Sequence, residues 1–244
     1  MEKKYELTNE TFNYGGHILH RIKAVRDFNC IKVGELGGWV ESEDNLSHEG
    51  NCWVYDDAKV YDNAVVKDNA KVCGHAVVYD NAGVKGDAQV TYLAKVYSYA
   101  LVFGDALVSG ETEVYGDAKV YDRAMVCGIA KVYDRAMVCD YARVCGDARV
   151  CDHAQVYGNA VVCGNVEICG DAVVKETKDY AVFKNTWSSG RYFTWTRSNN
   201  LWRVGCFYGT GKQLIKKAYA DGELKGKCYE AIVQLQSRIS ELLK

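Results

Sequence analysis

The chain has 244 residues, a formal net charge of −2, 48% hydrophobic residues, 11 cysteines and no proline. This length allows one or two domains, and the absence of a long apolar run argues against a membrane-spanning protein. Because the first residues, MEKKYELTNETF, lack the apolar core of an export signal, we expect a cytoplasmic protein whose cysteines are reduced thiols.

Charge is unevenly distributed along the chain. Residues 176–244 carry 12 Lys and Arg against 6 Asp and Glu, whereas residues 1–175 carry 18 against 26. The two parts therefore have net charges of +6 and −8, which predicts a basic C-terminal region on an acidic body. We expect three parts: an N-terminal β cap at 1–50, a repeat at 51–175 and a C-terminal α+β domain at 176–244.

Residues 1–50 precede the repeat. Residues 18–25 alternate enough to predict a strand, and the GELGGWV segment at 34–40 supplies glycine for a tight turn. Val40, Leu46 and Cys52 fall in the phase that alanine later occupies, so the repeat is expected to begin near Gly38. An open solenoid end exposes unpaired backbone, and this segment is expected to cover it.

A six-residue repeat runs from Val54 to Val174. Every sixth residue is valine, except Ile168, and the fourth residue after each valine is alanine, except Thr112 and Val166. This period is neither that of a helix nor that of a simple alternating strand, and it predicts a solenoid. The second residue after each valine is Gly or Asp in all but two repeats, which suits a corner with left-handed backbone.

With this repeat, the chain resembles the hexapeptide-repeat proteins, which form a left-handed parallel β-helix. The resemblance covers about half of the chain and implies a mainly β fold of about seven triangular coils, with 18 residues per coil and aliphatic side chains inside. The chain departs from the commonest family pattern, because Tyr, Cys or Lys follows the aliphatic residue where glycine is usual. It is also similar to uncharacterised bacterial and prophage members of the superfamily.

Coils of 18 residues would stack the outward residues into ladders about 4.8 Å apart. One ladder carries five tyrosines: Tyr61, Tyr79, Tyr97, Tyr115 and Tyr133. Stacked rings stabilise a sheet face, and tyrosine is also favoured at interfaces, so both roles remain open.

A second outward group is apolar and predicts an interface: Leu101, Phe103, Tyr121 and Met137. We expect a homo-oligomer, a dimer or a trimer, and trimers are common in the family that the repeat resembles.

Residues 176–244 predict strands at 181–186, 191–197 and 201–207, followed by helices near 212–220 and 227–243. Basic and aromatic residues alternate here: Lys184, Trp187, Arg191, Trp195, Arg197, Trp202, Arg203 and Lys212. Such a mixture serves single-stranded nucleic acid or nucleotide binding, but it is also typical of a small sheet with an ordinary core and a solvated face, which is the favoured interpretation.

The predicted function is that of a non-catalytic binding or scaffold protein that engages a protein partner through the β-helix faces and the C-terminal domain. Enzymes of the resembled family typically use a histidine near a subunit interface and a protruding loop, whereas this repeat has no insertion. No catalytic residue, cofactor or metal is expected. The alternative is a hexapeptide-repeat acyltransferase using acyl-CoA at a subunit interface. The likeness to prophage members raises a further hypothesis, that the protein inhibits a host protein.

Overall fold

Three strands begin the fold, in a computed structural model that describes residues 2–242. They are β1 (Tyr5–Tyr14), β2 (His17–Ala24) and β3 (Leu36–Val40). β1 and β2 form an antiparallel hairpin whose turn contains Gly15 and Gly16, both with positive φ. β3 pairs antiparallel with β2 on one side and parallel with the first full coil on the other, where Trp39 lies opposite Lys59.

Each hexapeptide then contributes one short strand. In chain order, β4 to β24 are Trp53–Val54, Lys59–Val60, Val65–Val66, Lys71–Val72, Val77–Val78, Gly83–Val84, Gln89–Val90, Lys95–Val96, Leu101–Val102, Leu107–Val108, Glu113–Val114, Lys119–Val120, Met125–Val126, Lys131–Val132, Met137–Val138, Arg143–Cys145, Arg149–Val150, Gln155–Val156, Val161–Cys163, Glu167–Ile168 and Val173–Val174.

Every third strand belongs to the same parallel sheet, in a register of 18 residues, as in the pairing of Val90 with Val108. Each sheet forms one face of the β-helix. The tyrosine face contains β3 and every third strand from β5 to β23. The thiol face contains every third strand from β4 to β22 and bears Cys73 and Cys127, and the mixed face contains every third strand from β6 to β24 and bears Phe103. The predicted left-handed parallel β-helix is confirmed, with between seven and eight turns.

The interior of the coils is filled by the two small aliphatic positions of the repeat. The valines from Val54 to Val174, together with Ile168, are completely buried, as are nearly all of the alanines. Burying one such valine contributes about 1.5 kcal/mol or more, so the stack as a whole supplies most of the stabilisation. Thr112 occupies one alanine position, also completely buried.

The corners confirm the predicted left-handed backbone. The second residue after each valine has a positive φ throughout the repeat, including the two exceptions to the Gly or Asp rule, Tyr92 and Ser98. Several corner aspartates also accept a hydrogen bond from the backbone amide one coil later, as Asp56 does from Gly74 (2.9 Å) and Asp152 from Gly170 (2.8 Å). Aspartate therefore tolerates the conformation and also links successive coils.

The first coil differs from the expected phase. Val40 lies opposite Val60 and Leu46 opposite Val66, a register of 20 residues, because two additional residues lie between Leu46 and Val54. The prediction that Val40 and Leu46 occupy the alanine phase is therefore wrong, since both fill valine positions.

The C-terminal unit contains β25 (Tyr180–Lys184), β26 (Tyr192–Thr196), β27 (Leu201–Val204) and β28 (Phe207–Thr210) in one antiparallel sheet, followed by α1 (Gly211–Ala220) and α2 (Glu223–Leu242). The single strand predicted at 201–207 is two strands, because Gly205, with a positive φ, turns the chain. The predicted second helix ends at residue 243, which lies outside the described residues. No helix in residues 2–242 has the length and apolar character needed to cross a membrane.

Two predicted surface residues of this unit are buried instead. Trp195 and Trp202 lie in the core between the sheet and the helices, with Phe193, Leu214 and Tyr229. Their proposed place on a binding surface is corrected, because strand alternation directs both indoles towards the helices.

The cysteines also depart from expectation at one pair. Cys145 and Cys163 occupy the same position in successive coils of the thiol face, with Cα atoms 4.7 Å apart, and a disulfide joins them. The other nine cysteines are free thiols. The expectation of reduced thiols is therefore wrong for this pair, because the 18-residue register brings outward cysteines within bonding distance.

Candidate functional site

The five predicted tyrosines form a continuous stack on the tyrosine face, here called the tyrosine ladder. Successive ring centroids from Tyr61 to Tyr133 are 4.9 to 5.2 Å apart, and adjacent ring planes differ by 10° or less. This spacing follows from the sheet itself, because parallel strands lie about 4.8 Å apart and in-register side chains must stack.

The N-terminal hairpin covers the first rung of the ladder. The Tyr14 and His17 rings lie against the Tyr61 ring, with centroids 5.9 and 4.7 Å away. Leu19 and Trp39 complete the same buried cluster, and Tyr61 is consequently only 9% exposed. The hairpin thus forms a wall across one end of the ladder.

The C-terminal unit covers the other end. Beyond Tyr133 the ladder continues as Cys151 and Cys169, and both cysteines are buried. Tyr208 donates a hydrogen bond from its hydroxyl to the carbonyl oxygen of Cys169 (3.1 Å), and Arg203 pairs with Glu167 (2.9 Å). Four rungs remain half-exposed between the two walls: Tyr79, Tyr97, Tyr115 and Tyr133.

These four rungs, with the covered ends on either side, are here called the trough. Three steps of 4.9 to 5.0 Å place the rings of Tyr79 and Tyr133 about 15 Å apart. Burial is the largest cause of a raised pKa at each of the four phenols, so all four remain neutral at physiological pH. The trough therefore offers apolar ring edges and neutral hydroxyl groups.

The second predicted group lies on the mixed face. Phe103 and Tyr121 stack with centroids 4.9 Å apart, which brings these two candidates together. Leu101 and Met137 lie two coils apart with Lys119 between them, so the apolar group is interrupted by a cation. All four candidates are half-buried in the single chain.

The basic and aromatic candidates of the C-terminal unit do not share one surface. Lys184, Trp187 and Arg191 are exposed near the turn between β25 and β26, whereas Arg203 points to Glu167 of the β-helix. Arg197 and Lys212 line a cleft of about 800 Å³ between the sheet and α2, with the edges of Trp195 and Trp202.

Sequence reasoning missed a polar cluster beside the first wall. Nδ1 of His17 lies 3.1 Å from Glu41 and 3.6 Å from Asp62. The hydrogen bond with Glu41 is the main cause of a raised pKa at His17. No periodic pattern indicated this cluster, because the hairpin that carries His17 stands outside the repeat. The corner histidines His75 and His153 are both exposed, each 3.9 Å from one aspartate.

No protein-family model matches the chain. It is 40% identical over 62 residues to a protein described as "Uncharacterized acetyltransferase YdcK" from Escherichia coli (strain K12). The match covers 22% of this chain and 19% of the relative, so the matched part spans about a fifth of the relative's length. Its 18-residue coils make the chain a parallel β-helix built from hexapeptide repeats, and over 62 residues it is similar to this relative.

Proposed function

We propose that the chain is a non-catalytic binding protein that holds a protein partner along the open rungs of the tyrosine ladder, Tyr79 to Tyr133. The observation that carries this proposal is the position of the ladder. Four stacked, neutral phenols lie half-exposed in a trough with a wall at each end. Tyrosine supplies a large rigid contact area and a hydrogen-bonding hydroxyl, which is why it is enriched where proteins bind one another.

The groups beside the trough favour a protein partner over a nucleic acid. Glu113 pairs with Lys131 (2.8 Å) beside the middle rungs, and this pair neutralises one of the cations of this face, which also carries Lys95 and Arg149. Corner aspartates follow the tyrosines directly, as Asp80 and Asp134 do, and their carboxylates would repel phosphates. A polypeptide with apolar side chains suits a surface of tyrosine rings, hydroxyl groups and charges of both signs.

The test compares wild-type protein with the double variant Tyr97→Ser, Tyr115→Ser as bait in affinity capture from host cells. The control is Tyr157→Ser, which removes a half-buried tyrosine from the mixed face. We expect a protein that wild type and control retain and the double variant loses, with direct titration of that purified protein giving the same order. Equal affinity for all three baits would contradict the proposal.

Self-association is part of the proposal and uses the mixed face. Phe103 and Tyr121 form its largest stacked pair, and apolar groups of this kind mark interfaces. We expect sedimentation to give a dimer or a trimer, and Phe103→Ser with Tyr121→Ser to give a monomer. A wild-type monomer at high protein concentration would contradict this part alone.

Acyl transfer is the second candidate. It is supported by the partial likeness to a protein named as an acetyltransferase and by the His17–Glu41 pair, since a carboxylate that orients a histidine is typical of a general base. Saturable binding of acetyl-CoA that His17→Ala abolishes would favour the enzyme. The absence of such binding would favour the binding protein.

The proposal extends to inhibition of a host protein, which the family resemblance supports. Identification of the captured protein tests this directly.

A further inference from the structure

A cluster of three potential metal ligands lies at the C-terminal end of the tyrosine ladder. The Sγ atoms of Cys151 and Cys169 and a carboxylate oxygen of Glu167 all lie within 4.8 Å of one another. The two cysteines are only 4% and 3% exposed.

The β-helix register explains why these three atoms surround one point. Cys151 and Cys169 occupy the same ladder position in successive coils, which places them about 4.8 Å apart along the axis. Glu167 precedes Cys169 by two residues, so its side chain leaves the same side of the strand but is displaced across the face. The donors therefore form a triangle, unlike the straight row of Cys127, Cys145 and Cys163 on the thiol face.

The C-terminal sheet closes this triangle from above. The backbone amide of Glu167 donates to Oγ1 of Thr194 (3.2 Å), and the Tyr208 hydroxyl donates to the carbonyl oxygen of Cys169 (3.1 Å). Arg203 lies 2.9 Å from Oε1 of Glu167, and a carboxylate has a second oxygen to offer. These contacts largely exclude bulk water, and one ligand atom of each of the three residues remains available to a metal ion.

We propose that Cys151, Glu167 and Cys169 bind one Zn²⁺ ion. Zinc accepts thiolate and carboxylate ligands in tetrahedral geometry, and three protein ligands leave the fourth position for water. Both thiols lose their protons on binding, so the ligands carry three negative charges. The ion and the Arg203 guanidinium together carry three positive charges, and the buried site is neutral.

The experiment is metal analysis of the full-length protein, purified under reducing conditions with zinc in the medium. We expect one zinc per chain by mass spectrometry of the metal, thiolate-to-cobalt charge-transfer absorption when Co²⁺ is added to the metal-free protein, and release of two protons per ion. Cys169→Ser and Glu167→Gln should each weaken Co²⁺ binding by about tenfold or more. Cys73→Ser, which changes a half-buried thiol on another face, should bind as wild type does.

Three results would overturn the proposal. The first is a folded wild-type protein that contains no zinc and shows no thiolate-to-cobalt absorption. The second is a disulfide between Cys151 and Cys169 that persists under reducing conditions. The third is a folded Cys169→Ser variant that binds cobalt with the affinity of wild type. Circular dichroism reports folding for each variant. If Cys169→Ser does not fold, the cobalt affinity of Glu167→Gln tests the proposal instead, because this substitution keeps the size of the side chain and removes only a charged ligand.

Discussion

The rings of Tyr97 and Tyr115 lie parallel, with centroids 4.9 Å apart and 7° between their planes. Tyr97 makes the same contact with Tyr79 on its other side, so replacing it breaks two stacked pairs. We expect Tyr97→Ser to lower the free energy of unfolding by about 2 kcal/mol and Tyr97→Phe to change it far less. Urea denaturation measures both. A serine variant as stable as wild type would show that stacking does not stabilise this face.

Close approach between coils should make one corner glycine less replaceable than another. Gly104 and Gly164 both have a positive φ, but a Cβ at Gly104 would lie 2.9 Å from the backbone nitrogen of Asp122, whereas Gly164 faces open space. Both alanine variants incur backbone strain of about 1 kcal/mol. Gly104→Ala should lose about 1 kcal/mol more than Gly164→Ala, since the next coil must move. Equal losses in thermal unfolding would contradict this.

The repeat tolerates one polar residue inside the coils. Thr112 is completely buried, and its Oγ1 has no hydrogen-bond partner among residues 2–242. Thr112→Val keeps the shape and removes the unsatisfied hydroxyl, so we expect the variant to be about 1 kcal/mol more stable. Thr112→Ala, which also leaves a small cavity, should gain less. A valine variant less stable than wild type in urea would refute this account.

The wall at Tyr61 should loosen as pH rises. His17 has a raised pKa in the folded chain, chiefly through its hydrogen bond with Glu41. The stabilisation is complete below the unfolded-state pKa of histidine and is lost as pH rises through the raised value. Hydrogen exchange in β1 and β2 should therefore quicken across this range relative to the β-helix.

His17→Gln should remove that pH dependence, and His153→Gln, at an exposed corner, should keep it. Hydrogen exchange in the hairpin that responds to pH equally in both variants would exclude His17 as the cause.

The coils were predictable because each repeat satisfies the same three demands: valine inside, a small residue beside it, and a corner residue that tolerates positive φ. The first coil was misassigned because Val40 and Leu46 suit either interior position. Their phase depends on the two additional residues before Val54, which only strand pairing reveals.

The tyrosine ladder was equally predictable, because with a fixed register residues that are 18 apart in the sequence are neighbours in the sheet. Its walls were not, since the hairpin and the C-terminal sheet lie outside the repeat. The cluster of Cys151, Glu167 and Cys169 lies within the repeat, but its surroundings do not. Its burial and the partner of Glu167 come from Arg203, Thr194 and Tyr208, which no period connects to the coils.

The 20-residue first coil has a consequence for how the chain finds its native pairing. A uniform repeat could slip by one whole coil and still place valine and alanine inside, so the interior alone does not distinguish the shifted arrangements. An end coil of unequal length, joined to a hairpin that pairs only with β3, is compatible with a single arrangement. The irregular ends of the molecule therefore determine the strand register, because the regular repeat between them is compatible with several registers.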